Sequence, residues 1–165
     1  MSLRRIFRHL RTPPWCVRLM LPAHTLRAIE SAIRESEAIH QGQIRFAVEA
    51  ALDLAPLLRN QSARERAIEV FSSLRVWDTE RNNGVLIYLL LADRDVEIVA
   101  DRGAHALVGA PEWERICREM EALFRAARFE EGVITGIQAV SAHLARHYPG
   151  PGKKPNELPD VPVIL

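Results

Sequence analysis

Cysteine is scarce in this sequence, and the common signatures of catalysis are absent. The two cysteines, Cys16 and Cys117, lie far apart and form no C-x-x-C pair, which argues against a disulfide framework or a zinc cage. The sequence contains no phosphate loop of the G-x-x-x-x-G-K type, no G-x-G-x-x-G and no G-x-S-x-G. No run approaches the about 20 apolar residues that a membrane-spanning helix needs. These absences leave a protein without an obvious catalytic motif.

Excess charge of one sign is also lacking. The formal net charge is +1, so no global field recruits nucleic acid, and we expect no nucleic-acid partner. The start of the chain is basic like a secretory leader, but Pro13, Pro14 and Arg18 interrupt the apolar run that a leader requires. We therefore expect a cytoplasmic protein, at most peripheral to the membrane. Basic residues are concentrated only in the first dozen positions: Arg4, Arg5, Arg8 and Arg11.

The length and composition of the chain fit one domain with two tails. Apolar residues make up 48% of the 165 residues and charged residues 26%, an ordinary balance for a protein with a core. We divide the chain into a basic N-terminal arm (1–21), an α/β domain (22–148) and a proline-rich tail (149–165). The tail is expected to be disordered.

The arm allows two interpretations. In a short amphipathic helix, Leu3, Ile6, Phe7 and Leu10 would lie opposite the arginines, which suits contact with an anionic membrane surface. Alternatively, the arm packs its apolar residues, Trp15 among them, against the domain. The second interpretation needs no lipid, since two or three helical turns bury little apolar area.

The centre of the chain predicts a buried β-hairpin. Residues 85–91 are apolar without alternation, as expected of a strand that is covered on both faces. Asp93 and Arg94 form a tight turn, and residues 96–100 return with one evenly apolar face. This hairpin is the element around which we expect the fold to be built.

The flanking segments complete an α/β fold. An alternating strand over 43–52 is followed by a helix that opens with a Ser62–Glu65 capping box, which predicts a parallel crossover into the central strand. Helices are also predicted after Pro22, from Pro111, and over 130–147. The predicted fold is a three-layer α/β/α sandwich: a small mixed sheet, made by a β-α-β crossover and a β-hairpin, flanked by about four helices. Arg45 and Glu49 share the polar face of the first strand. We interpret them as a surface ion pair or as charges of an edge strand, and a catalytic pair is the alternative.

Polar side chains collect at both ends of the hairpin. We name the start of the central strand and the end of its antiparallel partner the first rim. Hard oxygen ligands there suit Ca²⁺ or Mg²⁺. A plain helix-to-strand turn, in which Asp and Asn bond their own backbone, is the alternative. The candidate metal ligands of the first rim are Asp78, Glu80, Asn82, Asn83 and Asp101.

The opposite end, the second rim, is the second choice. Ligands of open α/β sheets favour the carboxyl ends of strands, which lie there. The run from Asp93 to Val96 imitates the D-x-D-x-V box of aspartyl-phosphate phosphatases, but a strand resumes at once where that family needs a loop. We therefore interpret the charged residues as part of a polar hairpin turn and not as a catalytic box. The second rim consists of Glu49, Asp93 and Asp95, with Asp53 and Arg94 beside them.

An ordered string of short motifs resembles the TPM domain family over roughly residues 40–147. The resemblance implies an α/β/α sandwich whose N-G-V-L loop borders the site. It also implies a short cytoplasmic bacterial branch, in a family that includes acid phosphatases, divalent-cation binders and accessory factors of membrane complexes. The motifs are Asn83-Gly84-Val85-Leu86, Asp93-Arg94, Val96-Glu97-Ile98, Asp101-Arg102-Gly103, Phe124-Arg125 and Phe129-Glu130-Glu131-Gly132.

Residues and resemblance together favour a non-catalytic binding or accessory module. We expect it to hold Ca²⁺ or Mg²⁺ at the loop before the central strand, and to work with a protein partner or a membrane-associated complex. The alternative is a metal-assisted acid phosphatase that acts on phosphomonoesters.

Overall fold

The computed structural model describes residues 3–151 and 156–165. Within these residues the strands are β1 (Gln43–Glu49), β2 (Gly84–Leu90), β3 (Asp95–Ala100) and β4 (Val163–Ile164). The helices are α1 (Leu3–Leu10), α2 (Trp15–Met20), α3 (Ala23–Glu37), α4 (Leu54–Leu58), α5 (Ala63–Ser73), α6 (Arg102–Val108), α7 (Ala110–Arg125) and α8 (Phe129–His147).

The sheet has the predicted mixed topology, in the order β3-β2-β1-β4. β1 and β2 run parallel, with Ile44 opposite Val85, and are joined through α4 and α5. β2 and β3 are antiparallel, with Leu89 opposite Val96. Every residue of β2 is buried, so the apolar run at the centre of the sequence is the covered interior strand that it predicts.

Helices cover both faces of the sheet. On one face α3, α7 and α8 pack against the side chains of Ile44, Phe46 and Ile87. On the other face α4 and α5 pack against Leu86 and Tyr88. The three-layer α/β/α sandwich is therefore confirmed. Its four predicted helices are α3, α5, α7 and α8, and the described residues add the shorter α1, α2, α4 and α6.

Local signals explain where the long helices begin. The Ser62 side chain accepts a hydrogen bond from the Glu65 amide while the Glu65 carboxylate accepts one from the Ser62 amide, so α5 opens with the predicted capping box. Pro22 immediately precedes α3, and Pro111 lies in the first turn of α7, where its missing amide hydrogen is not needed.

The expectation of a disordered tail is wrong for residues 156–165. Val163 pairs with Ala47 on the free edge of β1, and the Leu165 amide donates to the Val48 carbonyl oxygen at 3.0 Å. Leu158 is buried in the core beside α5. The prolines prevent a helix, but they leave the β-branched pair of β4 free to complete an exposed strand edge. Residues 152–155 of the predicted tail lie outside the described residues.

Because β4 covers its edge, β1 is an interior strand and its charged residues are buried. The predicted surface ion pair between Arg45 and Glu49 is wrong. Arg45 donates to the carbonyl oxygens of Pro159 and Val161 on the last segment of the chain, the latter at 3.2 Å. Glu49 is paired with Arg66 of α5. Both charges thus join secondary-structure elements together.

The N-terminal arm is helical. Val17 and Leu21 insert into the core between the sheet and its helices, whereas Trp15, which one interpretation packs on the domain, is 64% exposed. In the part of the chain that the structure describes, each helix is too short or too polar to cross a membrane.

Candidate functional site

The first rim is assembled by backbone hydrogen bonds between two loops. The Asp101 amide donates to the Gly84 carbonyl oxygen at 2.8 Å, and the Ala104 amide donates to the Asn82 carbonyl oxygen at 3.2 Å. These bonds continue the β2–β3 ladder past its last pair and hold the start of α6 against the loop before β2. The sequence predicts that residues 78–83 lie beside Asp101, and these bonds place the end of that stretch there.

Asn83 is completely buried at this rim, with one oxygen left over. Its side-chain amide donates to the Gln41 carbonyl oxygen at 2.8 Å, and its backbone amide donates to the Thr79 hydroxyl at 3.1 Å. The contact with Gln41 fixes the orientation of the side-chain amide. Among the described residues, no donor meets the Oδ1 atom of Asn83, which is itself buried.

Asp101 is the N-cap residue of α6 and is also buried. Its Oδ1 atom accepts from the amide of Arg102, the first residue of α6, at 2.7 Å. Its Oδ2 atom is buried and has no hydrogen-bond partner within residues 3–151 and 156–165. A buried carboxylate oxygen without a donor or a cation is costly, by about 1–3 kcal/mol or more. Burial and then the negative charge of Asp101 raise the pKa of Tyr148, which lies beside this carboxylate.

Glycine is required at Gly103 because oxygen atoms converge on it. A β-carbon there would lie 2.6 Å from the Asn82 carbonyl oxygen, 2.9 Å from the Tyr148 hydroxyl and 3.1 Å from the Arg81 carbonyl oxygen. Two carbonyl oxygens and the Tyr148 hydroxyl therefore lie around Gly103. Such hard oxygens are the ligands that Ca²⁺ prefers.

The other three predicted ligands lie on the surface. The side chains of Asp78, Glu80 and Asn82 are exposed, and the Glu80 amide donates to a carboxylate oxygen of Glu157 at 2.8 Å. No group of three or more His, Cys, Asp or Glu side chains is placed to hold a metal in the described part of the chain. A cation at the first rim would thus depend on neutral oxygens. Sequence reasoning missed Tyr148, although the glycine of the Asp101-Arg102-Gly103 motif signals a close approach there.

At the second rim, Glu49 is fully engaged. Arg66 donates to its two oxygens at 2.9 Å and 3.1 Å, and the hydroxyl of the buried Tyr88 donates at 2.7 Å. The hydrogen bonds to Glu49 raise the pKa of Arg66 despite partial burial. Burial and the negative charge of Glu49 raise the pKa of Tyr88. This carboxylate ties β1 and β2 to α5.

Asp93 is engaged as well, by the N-terminal arm. Arg5 donates to Oδ2 at 2.9 Å, Arg8 donates to Oδ1, and His9 Nε2 lies 3.1 Å from Oδ1 without hydrogen-bond alignment. Burial raises the pKa of Asp93, but the hydrogen bonds from Arg5 and Arg8 outweigh it, and the net shift is downward. The second rim therefore holds α1 on the domain.

Two further predicted residues lie beside the second rim. Asp53 is the exposed N-cap residue of α4, and Arg94 lies exposed in the hairpin turn with a left-handed φ of 53°.

Comparison with known proteins identifies the family. The family model of the TPM domain matches residues 19–143. The chain belongs to the TPM domain family. No curated protein is significantly similar to the chain in sequence.

Two solved structures share the fold of this TPM domain. The NMR structure of BA42 protein from the psychrophilic bacterium Bizionia argentinensis is 29% identical and superposes with a TM-score of 0.75 over 88% of this chain and 95% of that chain. The N-terminal domain of a P. gingivalis protein is 18% identical, with a TM-score of 0.63 over 83% and 92% of the two chains, and shows the fold alone.

Asp95, the last residue of the second rim, lines a separate cavity in this TPM domain. The cavity has a volume of about 570 Å³ and lies between β3 and α7. Burial and the nearby carboxylates of Glu97 and Glu121 raise the pKa of Asp95 to about 6. Burial raises the pKa of Cys117 in the same cavity to about 12, so its thiol stays protonated at neutral pH and is no activated nucleophile.

Proposed function

We propose that this TPM domain is a non-catalytic binding module that holds a divalent cation at the first rim. One observation carries the proposal. Asn83 Oδ1 and Asp101 Oδ2 are buried at the same rim, and neither meets a hydrogen-bond donor among the described residues. A hard cation satisfies two such oxygens at once and offsets the negative charge, which removes the desolvation penalty of both.

The donor set fits Ca²⁺ better than Mg²⁺. Asp101 supplies one carboxylate and Asn83 one amide oxygen, and the Arg81 carbonyl and the Tyr148 hydroxyl stand beside Gly103. Ca²⁺ accepts neutral oxygens in irregular geometry, whereas Mg²⁺ requires a strict octahedron and gives up its waters reluctantly. With one buried carboxylate we expect weak binding, with a Kd of about 10⁻⁴–10⁻³ M.

The test is a CaCl₂ titration followed in two ways. If only the folded chain binds, a free Ca²⁺ concentration tenfold above Kd raises the free energy of unfolding by about 1.4 kcal/mol. In amide NMR spectra, the shifts should be confined to residues 82–84 and 101–104. A chain whose stability and spectrum do not respond to Ca²⁺ or Mg²⁺ contradicts the proposal.

Asp101→Asn is the decisive variant. Asparagine is also a good N-cap residue, so the fold of α6 is retained while the carboxylate is lost. We expect the Ca²⁺ response to disappear. Asp53→Asn is the matched control, because Asp53 is an exposed N-cap residue of α4. Loss of the response in both variants, or in neither, would argue against a site at Asp101.

A hydrolysis assay distinguishes the non-catalytic module from the alternative, a metal-assisted phosphatase. Under the proposal, hydrolysis of p-nitrophenyl phosphate in the presence of Ca²⁺ or Mg²⁺ stays at the background rate. Turnover that requires the cation and disappears in Asp101→Asn would replace the non-catalytic assignment. Turnover that survives in this variant would indicate a contaminant or another site.

A further inference from the structure

α1 lies on the domain with its polar side inward. His9 is buried, its Nδ1 atom accepts from the Leu52 amide at 3.0 Å, and Arg5 and Arg8 bind Asp93 of the hairpin turn. Surface helices of globular proteins normally turn their apolar stripe toward the core. In α1 the charged residues make the contacts to the domain instead.

The apolar stripe of α1 consequently faces outward. Leu3, Phe7 and Leu10 occupy positions i, i+4 and i+7, which form one stripe on a helix. They are 77%, 59% and 67% exposed, respectively. Because Arg5, Arg8 and His9 fix the opposite side of the helix, the domain presents this stripe in a set orientation.

Unpaired arginines border the stripe. Arg4 and Arg11 project about a quarter turn away from it. Both are exposed, and neither forms an ion pair with any residue that the structure describes. The Arg11 guanidinium lies 5.4 Å from the centre of the Phe7 ring, so cationic and apolar groups share one surface.

We propose that α1 docks this TPM domain on an anionic lipid surface. Leu3, Phe7 and Leu10 enter the boundary between headgroups and acyl chains, while Arg4 and Arg11 pair with the lipid phosphates. Charge complementarity favours this occupant, since the exposed apolar groups are bordered by cations that have no acidic partner among the described residues. The proposal is independent of the cation at the first rim.

The next helix extends the same composition. α2 exposes Trp15 at 64% and Leu19 at 71%, with the exposed Arg18 between them in sequence. Tryptophan is enriched where membranes meet water, because its ring is apolar and its N–H is polar. Two short helices bury little area, so we expect binding that requires anionic lipid and weakens with salt.

Vesicle sedimentation of the full chain tests the proposal. The chain should bind vesicles of phosphatidylcholine with about one-third phosphatidylglycerol, and should bind pure phosphatidylcholine weakly. Raising the ionic strength from about 0.1 M to 1 M, which shortens the Debye length about threefold, should lower the bound fraction severalfold. Absence of binding to the anionic vesicles at low salt overturns the proposal.

Matched variants locate the contact. Phe7→Glu should reduce the partition coefficient at least about tenfold, since a carboxylate would replace an inserted ring. Ile39→Glu is the control, because Ile39 is 60% exposed outside the arm. Both positions are exposed, so the fold should be unaffected, which circular dichroism checks. Equal losses in the two variants would overturn the assignment to α1.

Charge-reversal variants show whether lipid binding depends on Arg4 and Arg11 themselves or only on the net charge of the protein. Arg4→Glu with Arg11→Glu should weaken binding more than Arg27→Glu with Arg59→Glu, although both pairs change the net charge equally. All four arginines are exposed. Light scattering completes the test. A dimer that forms without lipid and is lost in Phe7→Glu would make a second copy the occupant of the stripe and overturn the lipid proposal.

Discussion

Both rims of the sheet carry buried acidic side chains, but in the part of the chain that the structure describes only those of the second rim are paired with arginine side chains. At the second rim, the carboxylates of Glu49 and Asp93 receive arginine side chains from α5 and α1. At the first rim, Asp101 receives a backbone amide at one oxygen, and its other oxygen has no partner within the described residues. The neighbouring Asn83 also retains a buried oxygen without a donor in that part of the chain.

The difference teaches that residue type alone does not mark a binding site. An acid that a neighbouring helix reaches with arginine becomes a structural joint, because its charge is already compensated. An acid that accepts one backbone amide and has a second buried oxygen without a donor still carries an uncompensated charge. Arg102 supplies only its backbone amide to Asp101, and its own side chain is exposed. This difference is the reason that we propose an external ion at the first rim and none at the second.

The largest predicted effect is at the second rim. Arg66→Ala leaves Glu49 buried with only the Tyr88 hydroxyl as a donor. Breaking a buried ion pair destabilises by about 3–5 kcal/mol, and since Arg66 is partly exposed we expect a loss of about 2–3 kcal/mol in the free energy of unfolding. Urea denaturation measures this loss.

Arg125→Ala is the control for that variant. Arg125 is mostly exposed and lies 3.7 Å from Glu121 one turn earlier on α7, so its removal should change stability much less. If the two substitutions lower the free energy of unfolding equally, the contacts of Arg66 with Glu49 do not stabilise the fold. The proposed difference between the two rims would then be wrong.

Much of the fold could be predicted because its signals are local. The unbroken apolar run of 85–91 needs no partner to be recognised as an interior strand, and the Ser62–Glu65 capping box fixes the start of α5 within a few residues. The hairpin topology alone then places Asp101 beside Gly84. The same reasoning selects Asn83 and Asp101, as members of a set of five.

What could not be predicted depends on contacts between distant segments. β4 is two residues long, and only its pairing with Ala47 and Val48 makes it a strand. The partner of Glu49 depends on the rotation of α5, which no local pattern sets. The choice of Asn83 and Asp101 over Asp78 follows from burial, and burial of Asn83 involves Gln41, far back in the chain.

A second prediction sharpens the contrast at the first rim. Asn83→Asp adds a second carboxylate beside Asp101, which should tighten Ca²⁺ binding about tenfold because affinity rises with ligand charge. Without the ion, stability should fall by about 1–3 kcal/mol, because the buried carboxylate repels Asp101 and cannot donate to the Gln41 carbonyl oxygen as Asn83 does. Asn82→Asp, an exposed neighbour, is the control and should leave both quantities nearly unchanged. Isothermal titration calorimetry measures the affinity, and a folded Asn83→Asp chain with unaltered Ca²⁺ affinity would exclude Asn83 as a ligand.

The smallest predicted effect is the pH dependence of the second rim. Burial lowers the pKa of His9 below 6.5, an effect that Asp93 only partly offsets. The unfolded chain therefore takes up the His9 proton first, and stability is lost as pH falls from 6.5 through the lower folded pKa. The pKa of Asp93 is lowered as well, so its contribution is lost only below pH 3.8.

His9→Gln isolates this effect from other titrating groups. Burial raises the pKa of Glu37 to about 7, so its protonated form stabilises the fold at low pH and that contribution declines as pH rises from 4.5 to 7. Titration of Glu37 changes the free energy of unfolding of the wild type and of His9→Gln by the same amount. The difference in this free energy between the two chains should therefore shrink as the pH falls from 7 to 5. The wild-type Leu52 amide resonance should shift over the same range, because protonated Nδ1 no longer accepts its hydrogen bond. A constant difference with an unmoved Leu52 resonance would mean that His9 does not titrate while it holds α1 on the second rim.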